Sequence, residues 1–171
     1  MSVFLDFEAS SLSKHSYPIE VGWVAEDGAG EAHLIRPAPD WTEWDASAEA
    51  VHRISRVQLM DEGEPHEAVC MRLIGLFDGN VVHAGAPSWD GHWLSMLLRA
   101  AGKPRHLLRL ADTEAAFVAA AQERLGPAAD EAAIAELIAQ AQATLDRTPA
   151  AHRALEDARR DWRIWREIRG N

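Results

Sequence analysis

Asp6 and Glu8 stand two residues apart in "VFLDFEAS", inside a short apolar run. A side-chain period of two would send Val3, Leu5 and Phe7 to one face of a strand and Phe4, Asp6 and Glu8 to the other, with the two acids ~7 Å apart along the strand. Like charges aimed the same way repel unless a cation, or a pair of cations, lies between them. Further acids could complete such a site. Asp90 follows "VVHAGAPSW" and opens a helix, so its carboxylate would project near the carboxyl end of the preceding strand, where open α/β sheets place their ligands. At the same position an Asp commonly serves as a helix N-cap. Asp157 lies five residues after His152 in "HRALEDARRD". Five helical residues turn about 500°, leaving two side chains roughly 140° apart. A site shared by His152 and Asp157 therefore needs His152 ahead of a regular helix that takes effect from about Ala154. Pro149, with Thr148 as a cap, would start that helix earlier.

The elements that must position these residues follow from pattern. Val3 to Phe7 reads as a strand, and "PIEVGWVAEDGAGEAHLIRP" as a hairpin: Ile19, Val21, Trp23 and Ala25, a "DGAG" turn, and a return strand near Glu31 to Ile35. "APDWTEW" reads as a loop. Val69, Leu73, Leu76 and Phe77 keep helical spacing up to a stop at Gly79, and "VVHA" reads as a buried parallel strand. A helix over "DGHWLSMLLRAAG" ends at Gly102, and "RHLLRLAD" supplies a fifth short strand before the helical "TEAAFVAAAQERLG". Ile134, Leu137, Ile138, Ala141 and Leu145 form one stripe of a further helix. Leu155, Ala158, Trp162 and Trp165 mark the last. Antiparallel strands followed by alternating strands and helices predict a single α/β domain over residues 1–171, a mixed five-stranded sheet flanked by helices.

The totals bound the function. A chain of 171 residues with 47% hydrophobic content suits one core. Cys70 is the only cysteine, which excludes an internal disulfide framework and a cysteine-rich zinc site and fits a reducing cytoplasm. "MSVFLDFE" lacks a basic region followed by a long apolar stretch, and no segment approaches the ~18 apolar residues of a membrane span, so a cytoplasmic protein without a membrane partner is expected. Seventeen basic residues stand against 27 acidic ones, a net charge of −10. That balance disfavours holding long nucleic acid by counterion release, while leaving short or metal-bridged nucleic acid open.

Taken together, several motifs resemble the DEDD 3′ to 5′ exonucleases of the RNase H-like fold, in the DnaQ-like subgroup whose last motif carries a histidine. "LDFEASSL" resembles the first motif, "SYPIEVGWV" the second strand, "VHRIS" the His-x-Ile-Ser segment, "HAGAPSWDGHWLSML" the second acidic motif and "HRALEDA" the final His-x4-Asp motif. They occur in family order and span most of the chain. The resemblance implies an RNase H-like sheet in which Asp6, Glu8, Asp90 and Asp157 hold two divalent ions, magnesium or manganese, for which carboxylate oxygens are suited. Such a pair, ~3.5 to 4 Å apart, activates a water, aligns the scissile phosphate and stabilises the leaving 3′ oxygen. His152 would take the proton, as an imidazole with the ordinary pKa of ~6.5 can. The product would be a nucleoside 5′-monophosphate cut from single-stranded RNA or DNA.

The same resemblance places Phe7, Ala9 and Leu12 against the substrate, with apolar groups wedging terminal bases, and Trp89, which with Trp93 flanks Asp90, is a further candidate for lining the pocket. Strand alternation alone assigns Phe7 to the core instead. Ala9 stands where many members carry Thr, with hydroxyls following only at Ser10 and Ser11, and Pro87 and Trp89 precede the second-motif Asp. His52 and His83 read as hydrogen-bonded structural residues. Trp162 and Trp165 read as core or as a dimer contact, with Arg159, Arg160, Arg163 and Arg166 as a solvated face. Many members are dimers, so a homodimer is an expectation too. Two other functions fit the sequence: a phosphodiesterase acting on small nucleotides, which would explain the acidic charge, and a non-catalytic relative that binds nucleic acid or protein.

Overall fold

The computed structural model of the chain describes residues 1–145 and 152–170. Strand β1 (Ser2–Ala9) pairs antiparallel with β2 (Pro18–Ala25), which pairs antiparallel with β3 (Gly30–Arg36). The β2–β3 turn is the expected one: Gly28 adopts φ 90°, and the Asp27 carboxylate accepts from the Ala29 N–H at 3.0 Å. On the other side of β1 lies the parallel β5 (Val81–Ala84). Two strands of two residues each, β4 (Glu64–Pro65) beside β3 and β6 (Ala111–Asp112) beside β5, close the edges. The sheet is thus six-stranded and mixed, in the order β4-β3-β2-β1-β5-β6, where the sequence pattern gives five strands. The additional strand is β4, too short for alternation to reveal. The strand expected over Arg105 to Asp112 contracts to Ala111–Asp112, because β5 offers only His83 and Ala84 as partners.

The helices are α1 (Ala46–His52), α2 (Arg56–Glu62), α3 (His66–Phe77), α4 (Pro87–Ala100), α5 (Thr113–Leu125), α6 (Glu131–Leu145) and α7 (Ala154–Arg169). Helices α1 and α2 occupy a stretch without long apolar periodicity, and their signal is capping. The Asp45 carboxylate accepts from the Ser47 N–H and the Ser55 hydroxyl from the Gln58 N–H, so Ser55 to Gln58 carries a capping-box spacing. Among the described residues no helix is long and apolar enough to cross a membrane.

Alternation along β1 divides the interior in two. Val3, Leu5, Phe7 and Ala9 enter a core with Ile19, Val21 and Trp23 of β2, Val69 and Leu73 of α3, and Leu94, Leu97 and Leu98 of α4. Phe4 turns to the opposite core, with Phe117 of α5, Ile134 and Ile138 of α6, and Ile164, Trp165 and Ile168 of α7. Each such fully buried side chain contributes about 1.5 to 3 kcal/mol, so a one-residue slip of β1 would expose Leu5 and Phe7 while burying charge. Asp6 and Glu8 continue the Phe4 face toward the carboxyl end of β1, under the first turns of α7.

Candidate metal centre

Three features bring α7 over the acids of β1. Asp6 pairs in register with Gly22 and Glu8 with Glu20. A Cβ at Gly22 would overlap the backbone of Ala154 and Leu155, so the missing side chain is what lets the helix lie against the sheet. Glu20, only 1% exposed, grips the start of the helix. Its carboxylate accepts from Arg153 Nη2 at 2.6 Å, from Arg153 Nε at 3.0 and 3.1 Å, and from the Ala154 N–H at 3.0 Å. The pair thereby caps a helix that has no side-chain N-cap of its own.

Asp157 follows one turn later. One carboxylate oxygen from each of Asp6, Glu8 and Asp157 lies within 4.8 Å of the other two. Asp90 stands apart from that trio. The helix carrying it opens at Pro87 rather than at Asp90, as a proline preset for the first helical position allows. Asp90 thus sits in the first turn, 1% exposed, where its Oδ2 accepts from the Ala86 N–H at 3.2 Å and the carboxylate also takes the Phe7 N–H. The N-cap position falls to Ala86, so Asp90 is a first-turn residue and not the cap, and its charge acts on Asp6.

His152 lies outside α7, exposed, with φ 48°, and its charge acts on Asp157. The helix starts at Ala154, as a site shared by His152 and Asp157 would need; Thr148 and Pro149 lie outside the described residues. A fifth acid escaped the motif reading. Asp161 is four residues beyond Asp157, on the same helical face. Its Oδ2 is 3.3 Å from where a Cβ would stand on Gly85, at the carboxyl end of β5, so it closes the acidic cluster from that side. The Asp157-x3-Asp161 spacing was the available signal.

Burial and crowding shift these carboxyls toward their protonated forms. Burial, then Asp90, Glu8, Asp157 and Asp161, raise Asp6 well above the usual carboxylate range. Burial first and the charge of Asp157 next push Glu8 up to about 8. Burial lifts Asp90 to about 7 against the backbone bonds from Ala86 and Phe7, and lifts Asp161 to about 6. Asp157 is raised by burial as well, against the charges of His152 and Arg160. An all-oxygen donor set whose members repel one another fits a hard divalent cation, which would replace the protons.

The residues expected against substrate divide. Phe7 and Ala9 have their side chains in the core, as alternation dictates, and are not open to a ligand. Leu12 is 74% exposed and Trp89 38% exposed. Trp89 stacks on Trp93 with ring centroids 5.8 Å apart, and Trp93 Nε1 donates to the Ser16 hydroxyl at 2.9 Å, anchoring the platform to the loop after β1. The hydroxyls following Glu8 are engaged: Ser10, Ser11 and Ser13 donate to Glu43 at 2.9, 2.6 and 2.8 Å. His52 Nδ1 accepts from the Ile54 N–H, and His83 stacks on Phe4, both structural roles. Trp165 is core, and Trp162 donates to the Glu26 carbonyl.

No family model and no curated protein matches this sequence. Solved structures do match its fold. A zinc-bound complex of Escherichia coli exonuclease I with single-stranded DNA superposes with a TM-score of 0.65 at 17% identity, over 94% of this chain and 38% of that one. E. coli exonuclease I with a dT13 oligonucleotide gives 0.56 at 17% identity, over 74% and 30%. A product-bound exonuclease I gives 0.56 at 17% identity, over 74% and 32%. The chain spans well under half the length of these proteins. It shares with them the mixed-sheet, RNase H-like topology.

Proposed function

We propose that this chain is a divalent-metal-dependent 3′ to 5′ exonuclease that hydrolyses single-stranded RNA or DNA ends to nucleoside 5′-monophosphates. The observation that carries the reading is the convergence of Asp6, Glu8 and Asp157 from two distant segments. The ordered motifs and the likeness to exonuclease I support it. Magnesium or manganese ions, when bound, supply Lewis acidity and neutralise phosphate charge. Asp6, Glu8 and Asp157 would be their ligands, and Asp90 is the fourth acid, held by the Ala86 N–H beside them. His152, outside the helix and open to solvent, accepts the proton of the attacking water. Leu12 and Trp89, both exposed and close in sequence to Glu8 and Asp90, take the apolar faces of terminal bases.

The test is electrophoresis of 5′-labelled single-stranded RNA and DNA after incubation with manganese, beside Asp6→Ala. A ladder shortening by single nucleotides, absent in the variant, is expected. Intact polymers would sink the reading. The charge of −10 favours a second one, a phosphodiesterase acting on small nucleotides, which would cleave dinucleotides while sparing longer strands.

A further inference from the structure

Cations are unevenly distributed on this acidic chain. From Gly91 to Ala111 there is no Asp or Glu, yet Arg99, Lys103, Arg105 and Arg109 fall there, with His92 and His106. This stretch is the body of α4 and its irregular connection to β6. Between them lies a cavity of about 340 Å³, with Arg105, His106 and Arg109 on one wall and Gly91, His92 and Ser95 on the other. No carboxylate lines it. Arg105 and Arg109 are exposed, and their side chains make no hydrogen bond or ion pair among the described residues.

Several arginines elsewhere are engaged. Arg153 binds Glu20, Arg72 binds Glu64, Arg159 binds Glu156, and Arg169 meets Glu26. Unpaired guanidinium groups around an acid-free cavity form an anion site, since their planar forks match the oxygens of a phosphate. The cavity begins beside Asp90: Gly91 is the next residue, and Ser95 is about 7.5 Å further along the helix axis.

We propose that the cavity between α4 and the Arg105–Leu110 segment binds the sugar-phosphate backbone of single-stranded nucleic acid, at phosphates upstream of the 3′ terminus. The assignment rests on the nuclease reading for which end of the strand lies at the acids. It also answers the charge problem: a surface of net −10 repels a polyanion, and a local cationic cleft steers and holds it. Arg105 and Arg109 are the principal phosphate contacts, and Ser95, His92 and His106 are hydrogen-bonding groups around them.

The test is a fluorescence-anisotropy titration of a labelled single-stranded oligothymidylate in EDTA across a salt series. It compares the parent with Arg105→Glu/Arg109→Glu and with Arg163→Glu/Arg166→Glu on α7, which changes net charge equally. Loss of two phosphate contacts should flatten the dependence of log K on log salt by about 1.4 and weaken binding roughly tenfold near physiological salt, with a smaller effect from the α7 pair. The milder Arg105→Ala/Arg109→Ala pair should shift in the same direction, and the exposed position of both arginines lets each variant keep the parental melting temperature. Equal effects from the two regions, or a parental affinity and slope in the Arg105/Arg109 variants, would overturn the assignment, as would a parent that does not bind. Binding in EDTA needs no turnover, so a protein that binds through this cleft without cleaving would overturn the nuclease reading alone.

Discussion

Helix α7 and the α4–β6 connection are both rich in arginine, and the fold uses them in opposite ways. At α7 most guanidinium groups are already engaged: Arg153, just before the helix, is locked to buried Glu20, Arg169 meets Glu26 and lies over Trp165, and Arg159 and Arg166 pair along the helix with Glu156 and the Trp162 ring. After α4, Arg105 and Arg109 face solvent beside a cavity without carboxylates. Counting positive residues would rank α7 as the phosphate surface. We favour the α4 connection, because a guanidinium already paired with a carboxylate or a ring gives up that partner before it can take a phosphate. Arg153 helps to build the acid centre, whereas Arg105 and Arg109 after α4 remain available to a ligand.

Breaking the centre that α7 completes should give the largest effect. Asp157→Ala should remove detectable turnover together with manganese-dependent thermal stabilisation, read by activity gels and by melting with and without metal. Retention of both would detach α7 from the chemistry. His152→Ala should keep the metal-dependent stabilisation and lose about 10² to 10⁴ in rate, the usual contribution of a positioned acid–base group. Parental turnover would remove it from the mechanism.

Glu20→Ala sharpens the role of the anchor. It leaves the Ala154 N–H without its acceptor and frees a half-exposed Arg153, at a cost of about 1 to 3 kcal/mol in urea denaturation. It should also lower activity without touching any of Asp6, Glu8 or Asp157. A denaturation midpoint equal to the parent's would show that α7 is held by its apolar face alone.

The acid cluster predicts a pH signature. Glu8 and Asp90, raised to about 8 and about 7, bind more protons in the folded than in the unfolded state, so folding stability falls as pH rises through that range. His52 and His83 act in the opposite sense, because burial lowers their pKa, but their contribution is complete once pH passes the ordinary histidine value. Between about pH 6.5 and 8 the carboxyls dominate, and the melting temperature in EDTA should decline, with manganese reversing the decline most strongly at the upper end. A melting temperature in EDTA that rises over this interval would contradict the cluster. The smallest effect belongs to Arg163→Ala, an exposed position on the helix that should stay within about 0.5 kcal/mol of the parent in the same denaturation assay.

Much of this molecule was legible as pattern. The β1 alternation, the hairpin with its Gly28 turn and the amphipathic stripe of α6 follow from local spacing, whereas the start of α7 at Ala154 followed only from supposing that His152 and Asp157 share a site. Helices α1 and α2 were hidden because their only signal lies in caps at Asp45 and Ser55. The opening of α4 was displaced by three residues because Pro87 starts a helix in which Asp90 lies in the first turn. Phe7 belonged to the core that alternation gave it, whereas the family resemblance set it against substrate. Asp161 was readable from its spacing to Asp157, yet no motif drew attention to it.

The sequence by itself determined that Asp6 and Glu8 share one face of a strand, and that His152 and Asp157 cannot share one face of a regular helix. Both follow from the fixed geometry of the backbone over a few residues. Only the tertiary structure decided that Asp157 would meet them, since that depends on Gly22 admitting the α7 backbone and on Glu20 gripping Arg153 across 133 residues of chain. It also decided which carboxylates are captured by backbone N–H groups and which arginines are left free. Those outcomes depend on close approach between segments far apart in sequence, and local periodicity carries no information about that.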